Sequence, residues 1–216
     1  MNQKTILSFC AFVLLSFNLW GQRNELLQFG EEYFNSDTLP FDFSFSDSDK
    51  VYIENHYFEE ENKEVQLDTN KRFIPFELAQ EHLFQNSDSV AIQNLWNRDT
   101  LWYDSIEKHF ENYTYYTETF IPLTTQLYGL IYHRMDGEGM ETYICTYNSQ
   151  GEFIDRALIG FYTHSGSFST ANGGREPWFV LREFHIDSNL IIETFDYGNS
   201  EQKIKIGENG HFQLLD

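Results

Sequence analysis

The stretch "QLYGLIYHRMDGEGMETYICTYNSQGEFIDRALIGFY", residues 126–162, decides the fold. It contains three apolar and aromatic runs, "QLYGLIYH", "METYICTY" and "EFIDRALIGFY". Between them stand "MDGEG" and "NSQG", whose Gly and Asn supply the positive φ that tight hairpins need. Strand-length runs recurring at intervals of about ten residues indicate an antiparallel meander. The same rhythm extends outward on both sides. "YTYYTETFI" precedes the stretch, and "WFVLREFHI", "LIIETFDY", "KIKI" and "HFQLL" follow, separated by "DSN", "GNSE" and "GENG". The expected fold is mainly β with a minor α part (α+β). Its antiparallel β-meander should curl into a barrel-like or sandwich sheet.

The rhythm breaks once, at "THSGSFSTANGGREPW", residues 163–178. From Thr163 to Glu176 there is one aromatic, Phe168, and no aliphatic side chain larger than Ala171. The break reads as a long hairpin loop, and loops beyond about 12–15 residues are either functional or disordered. Loops on rigid β scaffolds carry recognition, so His164, Asn172, Arg175 and Trp178 are the candidate binding residues. Arg175 is a cation in an acidic chain and suits bidentate contact with a carboxylate or phosphate. Trp178 could stack on a sugar or a partner side chain. A plainer reading places Trp178 as the first core residue of the next strand, in alternation with Val180, Arg182, Phe184 and Ile186.

The region before the meander is less regular. "IPFELAQEHLF", 74–84, reads as a short helix, with Pro75 near its start and Phe76, Ala79, Leu83 and Phe84 at helical spacing. Residues 22–72 form an irregular N-terminal part that could wrap the sheet. Within it "NELLQFGEEYF" suits a short amphipathic helix. Phe41, Phe43 and Phe45 alternate as in a strand, and Val51, Ile53 and Tyr57 repeat that alternation. Residues 22–216 are read as a single β-rich domain: the irregular 22–72, then helix and meander over 73–216.

At the N-terminus Lys4 precedes an apolar run from Ile6 to Phe17, shorter than the roughly 20 apolar residues of a membrane span. This is the order of a signal peptide, with a cut expected after Gly21 and a secreted or periplasmic destination. Cys10 does not suit lipidation, because the bulky Phe9 precedes it. Its removal with the signal leaves Cys145 as the one thiol, so no internal disulfide can form. Cys145 shares a strand face with Tyr143 and Tyr147 and reads as a packed residue, not a nucleophile.

The chain carries 14 Lys and Arg against 34 Asp and Glu, a formal charge of −20. Loss of residues 1–21 removes one cation, Lys4, and deepens the charge to −21. Such a field repels phosphates, so nucleic acid is not an expected partner. Disorder is not expected either, because 18% aromatic residues can build a core.

Roughly residues 73–216 resemble a loosely related group of uncharacterised secreted proteins and lipoproteins of Bacteroidota. The resemblance rests on "FIPFELAQEHL", "QLYGLIYHR", "ETYICTYNSQGEFIDRALI", "FHIDSNLIIETFDY" and "KIKIGENGHFQLL". It implies an extracytoplasmic bacterial protein with a β-meander and transfers no catalytic residue.

No familiar catalytic pattern is present. The G-x-S-x-G elbow is missing, and His164, Ser165 and Ser167 are sequence neighbours, which seldom form a triad. The seven histidines are each more than twenty residues from the next, against the close ligand pairs of zinc sites. They read as exposed or interface residues. Asp47 and Asp49, and likewise Asp136, Glu138 and Glu141, form acidic turns without an EF-hand pattern. "ANGGREP" lacks the strand–glycine loop–helix context of a phosphate cradle. No cofactor, metal or catalytic residue is therefore nominated. The leading expectation is a noncatalytic extracytoplasmic binding or interaction domain, with a glycan or an envelope protein as partner. A structural envelope component assembling through strand edges ranks second. A secreted hydrolase acting on polysaccharide, with two facing carboxylates, ranks third.

Overall fold

The computed structural model of the chain describes residues 28–57, 71–75, 78–79, 83, 114–136, 139–169, 175–196 and 199–215. The expected signal peptide, 1–21, lies outside them. The meander is present as read. It runs through β4 (Thr114–Pro122), β5 (Leu127–Asp136), β6 (Gly139–Asn148), β7 (Phe153–Ser169), β8 (Arg175–Ile186), β9 (Ile191–Asp196), β10 (Asn199–Ile206) and β11 (Phe212–Leu215). Each strand pairs antiparallel with the next. Three short strands from the N-terminal part join the sheet. β1 (Asn35–Ser36) lies parallel to β4, β2 (Phe41–Phe43) antiparallel to β8, and β3 (Phe73–Ile74) antiparallel to β4.

The sheet curls but does not close into a barrel, since β11 and β1 end the strand path without pairing with each other. Curling brings one face of β4–β7 and one face of β8–β10 into a common core. Ile131, Met135, Met140, Ile144 and Ile159 meet Phe184, Ile186, Ile192, Ile204 and Ile206 there. The turn between β10 and β11 folds back on β6 and β7. The Thr146 hydroxyl donates to the Gly210 carbonyl at 2.8 Å, and the Phe212 amide donates to the Asp155 carboxylate at 3.1 Å.

The opposite face of β4–β7 is also covered. Leu130, Tyr132, Tyr143, Cys145, Tyr147 and Leu158 pack there against Phe29, Phe34, Ile74, Ala79 and Leu83. With both faces covered, β6 is buried along nearly its whole length instead of at alternate residues. Cys145 is fully buried, and burial pushes its thiol up to about 12, so it is a packed residue.

The N-terminal part supplies a short helix, α1, over residues 28–33, and a longer one, α2 (Asp47–Tyr57). The strand expected at Val51, Ile53 and Tyr57 is therefore corrected to helix. Ser46 and Asp49 decide it with a capping box. The Asp49 amide donates to Ser46 Oγ at 3.1 Å, and the Ser46 amide donates to Asp49 Oδ2 at 3.3 Å. Asp47 and Asp49 also place negative charge on the helix N-terminus. In the expected helix 74–84, Ile74 belongs to β3. Helical bonds run from the Ala79 amide to the Pro75 carbonyl and from the Leu83 amide to the Ala79 carbonyl. Residues 76–77, 80–82 and 84 lie outside the described residues.

The expected long loop at 163–177 is not a long loop. β7 continues to Ser169 and β8 begins at Arg175, with regular pairing from Phe161↔Arg182 out to Ser169↔Arg175 apart from a bulge between His164 and Gly166. Residues 170–174 lie outside the described residues.

Candidate functional site

Three of the residues singled out in the sequence, His164, Arg175 and Trp178, lie on β7 and β8. β8 changes partners along its length. Arg175 to Arg182 pair with β7, while Arg182 to Ile186 pair with β9, and β2 takes the edge that β7 leaves. The buried rows end near this exchange. Arg182 marks it with a two-point ion pair to Asp196, at 2.6 and 2.7 Å, and its guanidinium lies 5.1 Å over the Phe161 ring.

Beyond Arg182, Trp178 pairs with Gly166 and is 56% exposed. It shares the alternation of Phe184 and Ile186 but lies past the end of their core. This overturns the reading of Trp178 as a core residue. His164 pairs with Phe179 and meets its ring edge-on, with centroids 5.9 Å apart. Phe179 in turn stacks on Tyr162 at 5.2 Å. Trp178 and Phe179 are consecutive on one strand, so His164 and Trp178 sit on opposite faces of the hairpin. Arg175 opens β8 opposite Ser169. Asn172 lies outside the described residues. Two of the four candidates are thus close along the hairpin without sharing a face.

A second constellation was not foreseen. His133 stands on β5 between Ile131 and Met135, in the row that faces the core, and is fully buried. For His133 this corrects the reading of the histidines as exposed or interface residues. Its Nδ1 lies 2.9 Å from Thr142 Oγ1, and its Nε2 lies 2.7 Å from Glu118 Oε2. Glu118 reaches it from a β-bulge in β4, where the register shifts between Thr117 and Thr119. Lys71 Nζ then bridges Glu118 at 3.4 Å and Asp49 at 3.0 Å. The chain Thr142–His133–Glu118–Lys71–Asp49 ties β6, β5, β4, the segment before β3 and the first turn of α2. Phe43 and Phe45 roof it, with their rings 5.3 and 6.2 Å from the imidazole. Lys71 Nζ also lies 5.7 Å over Phe43.

Burial holds His133 below its ordinary value, outweighing the attraction of Glu118. Burial alone would raise Glu118, but the hydrogen bond from His133 and the charge and hydrogen bond of Lys71 outweigh it and hold the carboxyl below the usual range. Burial would lower Lys71, and Glu118 and Asp49 together raise it instead. Neutral imidazole with its proton on Nε2 fits these partners: it donates to Glu118 and accepts from the Thr142 hydroxyl.

Hydroxyl, imidazole and carboxylate in line match the order of a nucleophilic triad. Thr142 and His133 are, however, sealed from solvent. No substrate carbonyl reaches the Thr142 hydroxyl in this arrangement, which is suited to fastening elements together. One sequence feature could have revealed it: a polar residue in an inward row of a buried strand requires partners. Among the described residues no group of three or more His, Cys, Asp or Glu is placed to hold a metal ion. No helix among them is long and apolar enough to cross a membrane.

Comparison of the chain with known protein families, with curated proteins and with solved structures finds no match.

Proposed function

We propose that the chain is a noncatalytic extracytoplasmic binding domain that recognises its partner with the β7–β8 hairpin. One observation carries this reading: Trp178 is largely exposed on a strand whose backbone is paired. An indole held out on a paired strand offers contact area at low entropic cost, and its flat face suits a sugar ring. The partner class is a glycan or an envelope protein. Export follows from the Lys4, apolar-run and Gly21 order, and fits the resemblance to secreted Bacteroidota proteins.

The test is a thermal-shift screen of residues 22–216 against soluble glycans and envelope fragments. A ligand at 100 times its dissociation constant adds about 2.7 kcal/mol. Trp178→Ala should abolish the shift, while leaving the unliganded midpoint within about 0.5 kcal/mol of wild type because the indole is largely exposed. A shift that survives the substitution removes the hairpin from recognition.

A second reading, a structural envelope component, has its own observation. Among the described residues β11 pairs with β10 alone; it carries no charged side chain and exposes half of Leu214. Such edges pair with other chains. Concentration-dependent sedimentation would favour it over the hairpin reading.

A further inference from the structure

Residues 41–57 cross the inner core as one strap. Phe43 stacks on Phe184 with centroids 5.0 Å apart, and Phe45 packs edge-on against Phe43 at 5.0 Å. α2 follows and lies against β6 and β7. Its apolar hold is slight. Among its described side chains Ile53 is the one fully buried hydrophobe, and Val51 is 43% exposed. Glu54 adds a hydrogen bond from the Tyr162 hydroxyl. Tyr52 packs partly buried against the core and is hydrogen-bonded to Tyr116, and Asp49 lies fully buried against Lys71, through it joined to Glu118 and His133. Such an element opens locally at a free energy below that of global unfolding.

We propose that this strap is released by acid: protonation of His133, sealed beneath Phe43 and Phe45, frees residues 41–57 from the sheet and uncovers Phe184 and the inner face of β5 and β6. The groups facing His133 decide the direction. They are Glu118 and Tyr116 from β4, the Thr142 hydroxyl from β6, Lys71 from the segment before β3, and Asp49 from α2. From the strap come the uncharged rings of Phe43 and Phe45 and, in α2, the carboxylate of Asp49, which is paired with Lys71. One carboxylate, Glu118, touches the imidazole, and Lys71 already shares it. A second cation therefore enters a fully buried space, where loss of solvation outweighs the attraction of Glu118 and Asp49. In the open strap His133 regains solvent, and its proton affinity rises back toward that of an ordinary imidazole.

Hydrogen exchange of the chain at pH 7.5 and 5.5, corrected for intrinsic rates, tests this. One unit below 6.5 the open state gains up to about tenfold in population. Amides of 43–57 should exchange faster by up to that factor while those of β5 and β6 stay protected. His133→Gln keeps a donor toward Glu118 and an acceptor toward Thr142 but does not titrate, and should flatten the response. Unchanged strap protection at pH 5.5 overturns the proposal. So does an equal rise in β5 and β6, which would mean global unfolding, or a rise that persists in His133→Gln. The His133 ring resonance in the wild-type protein gives an independent reading. Its titration should share a midpoint with strap opening, and a different midpoint refutes the coupling even if the variant does not fold.

Discussion

Gly139 begins β6 at φ +158°, where a Cβ would lie 2.4 Å from the Tyr162 carbonyl oxygen and 2.5 Å from the Thr163 Cα. Both obstacles are backbone, so neither can rotate away. Gly139→Ala must part the β5–β6 turn from β7, and should cost about 2–3 kcal/mol by urea denaturation, in the range of overpacking. Gly166 supplies the control. Its φ is +154°, but nothing lies within 4 Å of an added Cβ, so Gly166→Ala meets backbone strain alone and should cost less. Equal losses would assign both effects to backbone conformation. At this scale the sequence is partly legible. Gly and Asn in the turns announce hairpins, and Gly151 and Gly210 adopt the positive φ expected of them. His133 was readable as an inward polar residue. Its partners were not, because Glu118 reaches it through a bulge that no residue type signals, and Lys71 and Asp49 are distant in the chain.

Two elements were misread, each for a different reason. Val51, Ile53 and Tyr57 suit a strand at Val51 and Ile53 and a helix at Ile53 and Tyr57, and so short a window holds both periods. The deciding signal stands upstream in Ser46-x-x-Asp49, whose reciprocal bonds start α2. The outer half of the β7–β8 hairpin was read as a loop because strand pairing is a backbone interaction. Past the core a strand needs no apolar row, so Ser165, Gly166 and Ser167 look like loop although they belong to β7. The long strands of the meander that cover a core are legible, whereas the two-residue β1 and β3 are not, Ile74 of β3 reading as the start of a helix. Capping gives the sharpest test of an element. Ser46→Ala should cost about 1 kcal/mol, whereas Ser46→Thr, which keeps the hydroxyl, should cost less. Exchange should locate the Ala loss in α2. A loss spread evenly over the sheet would mean that α2 does not open on its own.

Across the whole molecule, an acidic chain keeps several of its few cations inside. Lys71 and Arg182 are largely buried against carboxylates, and Arg134 and Arg156 flank the ring of Tyr143. Two opposing pH effects follow. Self-repulsion relaxes as pH falls toward the isoelectric point near 4.5, which favours the folded state. The buried chain acts the other way. His133 lies below its ordinary value in the fold, so below 6.5 the unfolded state binds more protons and stability falls with pH. Glu118, also lowered, contributes stability present above 4.5 that disappears as pH falls through its folded value. Lys71, raised, contributes below 10.5 and loses its share as pH rises through its folded value. Between pH 7.5 and 5.5 few carboxylates titrate, so His133 should decide the difference between wild type and His133→Gln. Urea denaturation should show wild type losing up to about 1.4 kcal/mol more than the variant over that interval, the worth of one pH unit on a single proton. Equal pH dependence in the two proteins would mean that His133 does not control acid stability. A larger loss in the variant would reverse the sign assigned to its burial.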